Sequence, residues 1–128
     1  MTESWRNRLT AGLLGIDGIV QSPSAFGEGD AFWCNGNEIA HFDAADVVDL
    51  RLTKSVIREL RAALREDGRV ELRKGTSDWL AVRVASDDDV DFVVELAERA
   101  AAAHRARPGE TAKLPPVGAD LERRRRFH

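Results

Sequence analysis

Apolar and polar residues alternate most cleanly from Val47 to Leu52. Val48, Leu50 and Leu52 fall on one side, and Val47, Asp49 and Arg51 on the other. A period of two gives a strand with one apolar and one mostly charged face. Immediately after it the period changes. Val56, Ile57, Leu60, Ala63 and Leu64 recur at helical spacing behind Thr53, a capping residue. The pattern predicts a helix over Lys54–Arg65 that covers Val48, Leu50 and Leu52.

The same two periods organise the remaining chain. Trp5, Leu9 and Leu13 make a first helical stripe, capped by Thr2 or Ser4 and stopped by Gly15 and Gly18. Ile19-Val20-Gln21 is a short strand. Ala31–Cys34 and Glu38–Phe42 flank Asn35-Gly36-Asn37 and form a hairpin, because Asn-Gly accepts the positive φ angles of a tight turn. Arg69–Arg73 and Trp79–Val84 form a second hairpin around residues 74–78, with Val70, Leu72, Leu80, Val82 and Val84 inward. Ser86 and Asp89 mark the start of a third helix that runs to about Arg105. The expected order is α-β-β-β-β-α-β-β-α. It describes a single α+β domain: an antiparallel sheet with three helices mainly on one face.

The domain is assigned to residues 1–105. Residues 106–128 contain Pro108, Pro115, Pro116 and an arginine run, and few apolar residues in any period. They are expected to form a flexible tail, mobile or lying along the surface, and dispensable for folding. This division also splits the charge. Residues 1–105 carry 13 basic and 19 acidic groups, against 6 and 3 in the tail. An acidic body is a poor general nucleic-acid binder, since phosphate attraction supplies most non-specific affinity. The candidate surface for nucleic acid is therefore Arg123, Arg124, Arg125 and Arg126 alone.

With Cys34 as the only cysteine, an internal disulfide and a thiolate metal cluster are excluded. The apolar runs are too short for a membrane helix, and the N-terminus shows no signal-peptide pattern. A cytoplasmic protein is expected. Gly12, Gly15 and Gly18 sit at a helix end rather than between strand and helix, so they make no dinucleotide fingerprint.

Strand alternation supplies the candidate site. If Ala40 and Phe42 face the core, His41 and Ile39 face away from it. His41, Asp49, Arg51, Trp79 and Arg83 then share the sheet face without helices, as a candidate binding site for a small anionic or aromatic ligand. The plain alternative is a solvated face with cross-strand ion pairs. His41, Asp43, Asp46 and Asp49 match no metal motif, and Asp-rich loops are usually turns, so no metal or cofactor is assigned. Cys34 beside Trp33 is expected to be a buried small hydrophobe.

Several segments together resemble the luciferase-domain family. They are Phe26-Gly27, Gly36-Asn37-Glu38-Ile39-Ala40-His41-Phe42, Asp49-Leu50-Arg51-Leu52-Thr53, Arg69-Val70 and Ser77-Asp78-Trp79. The resemblance spans roughly Trp5 to Arg105 and implies a compact bacterial α+β domain with no established reaction. A remoter similarity is to MmcQ/YjbR-like domains, sometimes labelled DNA-binding. Many members of the luciferase-domain family carry His-x-His where this chain reads His41-Phe42-Asp43, so the second histidine is absent. No catalytic residue is assigned, and light emission is not expected. The leading expectation is a non-catalytic ligand- or protein-binding domain. The alternatives are an enzyme or enzyme remnant using His41, and a nucleic-acid accessory acting through Arg123–Arg126.

Overall fold

The computed structural model describes residues 5–73 and 77–126. The expected caps Thr2 and Ser4 and most of the second hairpin turn lie outside these residues. The elements are α1 (Trp5–Leu14), β1 (Ile19–Pro23), β2 (Asp30–Cys34), β3 (Asn37–Phe42), β4 (Val47–Arg51), α2 (Lys54–Glu66), β5 (Val70–Leu72), β6 (Trp79–Arg83), α3 (Asp87–His104) and α4 (Gly118–Arg126). The six strands form one antiparallel sheet in the order β1-β2-β3-β4-β6-β5. The chain is an α+β domain, as the pattern of periods predicts.

Local chemistry explains the element ends. Asn35 and Gly36 both take positive φ, 52° and 79°, which turns β2 into β3 with the twist a two-residue hairpin needs. The Thr53 side chain accepts a hydrogen bond from the Val56 backbone N–H at 3.1 Å and starts α2. Ser86 accepts from the Asp89 N–H and starts α3, whose first turn holds Asp87, Asp88 and Asp89 at the positive end of the helix dipole.

The main core lies between the sheet and helices α1 to α3. Phe32, Ala40, Val48, Leu50, Leu80 and Val82 come from the sheet, and Leu9, Leu13, Ile57, Leu64, Val93 and Ala97 from the helices. α1 and α3 approach closely: a Cβ on Gly12 would come within 2.8 Å of Val94 Cγ2. α3, rather than α2, packs on β3 and β4, whereas α2 lies against the edge strand β5. The expectation that α2 covers the central strand is corrected in that respect. A helix that follows β4 directly is carried sideways over the last hairpin, and the long α3 crosses the sheet's middle.

The tail differs from a structureless segment. It contains α4, which the apolar pattern does not predict, and Leu121 of α4 is buried with Ala25, Ala31 and Trp33. This cluster lies on the face opposite the main core, so helices occupy both faces. A nine-residue helix with one buried apolar side chain has no stripe to read. It is held by tertiary contacts rather than by its own propensity. The tail also crosses the first hairpin, where the Lys113 backbone N–H donates to Asn35 Oδ1 at 2.8 Å. A Cβ on Gly36 would meet Lys113 Cβ at 3.0 Å.

These contacts change the expectation for the tail from dispensable to contributing. Leu121→Ala should cost about 2 kcal/mol through lost apolar burial. A chain ending at Arg105 should lose at least as much, because Trp33 and Ala31 would be uncovered. Thermal and urea melts of the full-length and shortened chains check this. Equal stability would mean that α4 does not hold its place in solution.

Candidate functional site

A break in strand alternation builds the site. Phe32 of β2 pairs with Ala40 of β3, but the next residue, Trp33, pairs with Glu38. Ile39 is left without an opposite number, a β-bulge. The bulge turns Ile39 into the main core, where it is fully buried. Ile39 therefore does not share the face of His41, as strict alternation predicts. Glu38 does, three residues away from it.

His41 is then enclosed by two carboxylates. Its Nδ1 is 2.9 Å from Glu38 Oε2, and its Nε2 is 3.0 Å from Asp49 Oδ2. Asp49 sits directly across the β3–β4 ladder from His41. Both carboxylates are almost fully buried, and the His41 side chain is 18 % exposed. Burial by itself would push the imidazole toward its neutral form. Hydrogen bonds and attraction from Asp49 and Glu38 outweigh that and raise its pKa to about 9. At neutral pH His41 is an imidazolium, and both ring N–H groups donate to carboxylates.

The loop after β1 completes the Glu38 side. Ser24 Oγ–H donates to Glu38 Oε2 and the Ala25 backbone N–H to Oε1, each at 2.7 Å. The Phe26 N–H donates to Ser24 Oγ at 3.0 Å, which holds the loop over the strand. Phe26 thereby reaches His41, with ring centroids 5.8 Å apart and planes inclined by 24°. Trp79 lies 5.1 Å from both the His41 and the Phe26 rings. Phe26, His41, Asp49, Arg73 and Trp79 line a depression of about 210 Å³.

Asp49 Oδ1 is the unfinished part of this cluster. It is buried and accepts no hydrogen bond from the described residues, although Arg73 Nη2 lies 3.3 Å away as an ion-pair partner. The Arg73 side chain is half-exposed, so its cover over that oxygen is a surface contact rather than a packed one.

Of the residues read from sequence, His41, Asp49 and Trp79 come together. Arg51 is adjacent, donating from Nε to Asp78 Oδ2 at 2.9 Å with its guanidinium 5.9 Å from the Trp79 ring centroid. Arg83 is on the same face but pairs with Val47, two positions along the strand from Ala81 opposite Asp49, and lines a different depression with Arg69 and Glu71. Asp43 and Asp46 are exposed in the β3–β4 loop. Among the described residues no group of three or more His, Cys, Asp or Glu is arranged to hold a metal ion. Both His41 nitrogens are within hydrogen-bond distance of carboxylates. The face is also less open than alternation suggests, because the Phe26 loop and α4 cover part of it. Glu38, Ser24, Phe26 and Arg73 are absent from the sequence-based set. Phe26-Gly27 and Glu38 do lie within the segments that carry the family resemblance.

Two further polar groups, Cys34 and His104, lie away from this cluster. Cys34 is buried, its thiol 3.8 Å from the Ala101 carbonyl, and burial raises its pKa against the opposing pull of Arg105. His104 is pushed toward its neutral form by burial, and its Nε2 meets the Leu52 carbonyl at 3.2 Å. It ties the end of α3 to the end of β4.

Fold and cluster together define a small α+β domain with a buried carboxylate–imidazolium–carboxylate row on the non-core face of its sheet. The model of the luciferase domain matches residues 36–100, from the first hairpin turn into α3. The chain belongs to the luciferase-domain family. The match includes Glu38, His41, Asp49 and Trp79, and excludes Phe26 and α4. Comparison with curated proteins and with solved structures gave no match.

Proposed function

We propose that the domain is a non-catalytic binding module, and that the His41 depression takes a small flat ligand carrying an N–H or O–H donor. The supporting observation is the buried charge itself. Two carboxylates and an imidazolium under an aromatic pair contribute less stability than apolar residues of the same size would. Such clusters concentrate at functional sites. Phe26 and Trp79 would contact the ligand faces, and a donor that displaces Arg73 would satisfy Asp49 Oδ1. A volume of about 210 Å³ is below the roughly 300–1,000 Å³ usual for small-molecule sites and restricts the ligand to a small one.

Catalysis by His41 is the weaker reading. A general acid must hand its proton to a substrate, and both His41 protons face carboxylates. A nucleic-acid role would need an open basic stripe, whereas Arg124 and Arg125 are turned toward the protein's own first hairpin and β1 loop, at the Gly36 and Ser24 carbonyls. We place the protein in the bacterial cytoplasm, where a single buried free thiol such as Cys34 is ordinary. No helix among the described residues is long and apolar enough to cross a membrane.

The test is a screen of planar amides and amidines, followed through the His41 ring signals in two-dimensional NMR. At least one hit should shift those signals. Trp79→Ala should then weaken it by about tenfold or more, equivalent to about 1.4 kcal/mol. If no compound moves the His41 signals, the depression is a structural cluster only.

A further inference from the structure

Phe26 also lines a second and larger cavity, about 410 Å³. Phe26, Trp33 and Glu38 line it together with three arginines, Arg51, Arg123 and Arg124. Apart from Phe26 it shares no lining residue with the His41 depression. Two of the arginines come from α4, outside the span matched by the family.

The lining carries three positive charges and one negative. The negative one is committed: Glu38 accepts from Ser24, Ala25 and His41. Each arginine also has an anchor. Arg51 is ion-paired with Asp78 and Arg123 with Asp120, so an anion would share them with those carboxylates, whereas Arg124 donates to the uncharged Gly36 carbonyl at 3.2 Å. Each anchor uses one N–H, and a guanidinium has five, arranged in a fork that suits carboxylate or phosphate oxygens. The Arg124 guanidinium also lies 6.0 Å from the Trp33 ring centroid. Trp33 itself is buried against Leu121, so the exposed aromatic surface of this cavity is that of Phe26. The volume falls within the roughly 300–1,000 Å³ usual for small-molecule sites. A polyanion would instead need an open basic stripe.

We propose that this cavity is a binding site for a small organic anion, a carboxylate or phosphate monoester on a flat apolar body. Arg51, Arg123 and Arg124 hold the anionic end, and Phe26 contacts the body, with the buried Trp33 beside Arg124 as the reporter. α4 then supplies half of a ligand site in addition to covering the sheet.

The full-length protein is titrated with phenyl phosphate, benzoate, inorganic phosphate and benzyl alcohol, with the Trp33 indole N–H and the His41 ring followed by NMR. Phenyl phosphate or benzoate should shift the Trp33 signal, and the tighter of the two identifies the preferred oxyanion. Inorganic phosphate and benzyl alcohol should each bind about tenfold more weakly or worse, since each lacks one half of the ligand. Arg51→Gln and Arg123→Gln should each weaken binding by about tenfold. Both leave the Arg124 contact with the hairpin in place, so α4 keeps its anchor, and circular dichroism confirms that each variant is folded. The proposal is overturned if neither organic anion moves the Trp33 signal at about 10 mM, a concentration at which millimolar affinity would show. It is also overturned if inorganic phosphate binds as well as phenyl phosphate, or if both variants bind like the wild type. Movement of His41 without Trp33 would place the ligand in the other depression, supporting the reading given above and rejecting this one.

Discussion

Replacing His41 by glutamine is expected to destabilise the fold by about 3–5 kcal/mol near neutral pH, the cost of breaking a buried ionic cluster from one side. Glu38 and Asp49 would remain buried, with no positive charge between them. The neutral amide can donate to one carboxylate but cannot offset the charge of both. The same geometry fixes a pH dependence and its sign. The folded pKa, about 9, lies above the ordinary 6.5, so the folded state binds the proton more tightly than the unfolded state. The stabilisation is complete below about pH 6.5 and is lost as pH rises through about 9. The difference corresponds to about 3 kcal/mol, and to on the order of 2 once screening through the exposed ring edge is allowed for. Urea melts at pH 6, 7.5 and 9.5 should show the wild type losing that advantage over His41→Gln. Taking the difference between the two proteins cancels the other titrating groups. A difference that stays constant across this range would mean that His41 is not charged between the carboxylates.

Leu50→Ala is expected to cost about 2–5 kcal/mol, with the upper half favoured by the rigidity of its site. Leu50 is fully buried at the centre of β4, flanked in register by Ala40 on β3 and Leu80 on β6. Five of the six strands and three helices contribute buried side chains to the cluster around it, so the vacated space cannot collapse without moving paired strands. The same strand carries Asp49 on its other face. A cavity under Leu50 should therefore also weaken the His41 cluster, and part of the cost should vary with pH. Denaturant melts decide the magnitude. A loss below about 1 kcal/mol would put Leu50 outside the core.

The sequence by itself determined whatever depends on neighbours along the chain. Val48, Leu50 and Leu52 face inward because alternation in a strand leaves no other choice once one face is buried. Asn35-Gly36 sets the hairpin because few residue pairs accept its two positive φ angles. Thr53 and Ser86 start their helices because a side-chain oxygen satisfies an N–H that the helix cannot. His41, Asp49 and Trp79 were placed together by the same alternation.

Tertiary structure decided the rest. Nothing local in Asn37–Phe42 announces a bulge. Ile39 turns inward because the core can bury it and the pairing of β2 with β3 can slip by one residue. That slip brings Glu38 beside His41 and makes a cross-strand pair into a buried three-member cluster. Phe26 reaches the site only because Ser24 is bonded to Glu38 across the sheet. α4 has too little apolar surface to show a period, and it becomes a helix where Leu121 finds Trp33, Ala31 and Ala25 already exposed on the sheet. Each of these depends on a partner distant in sequence, and the energy that fixes it resides in the contact between them rather than in either segment.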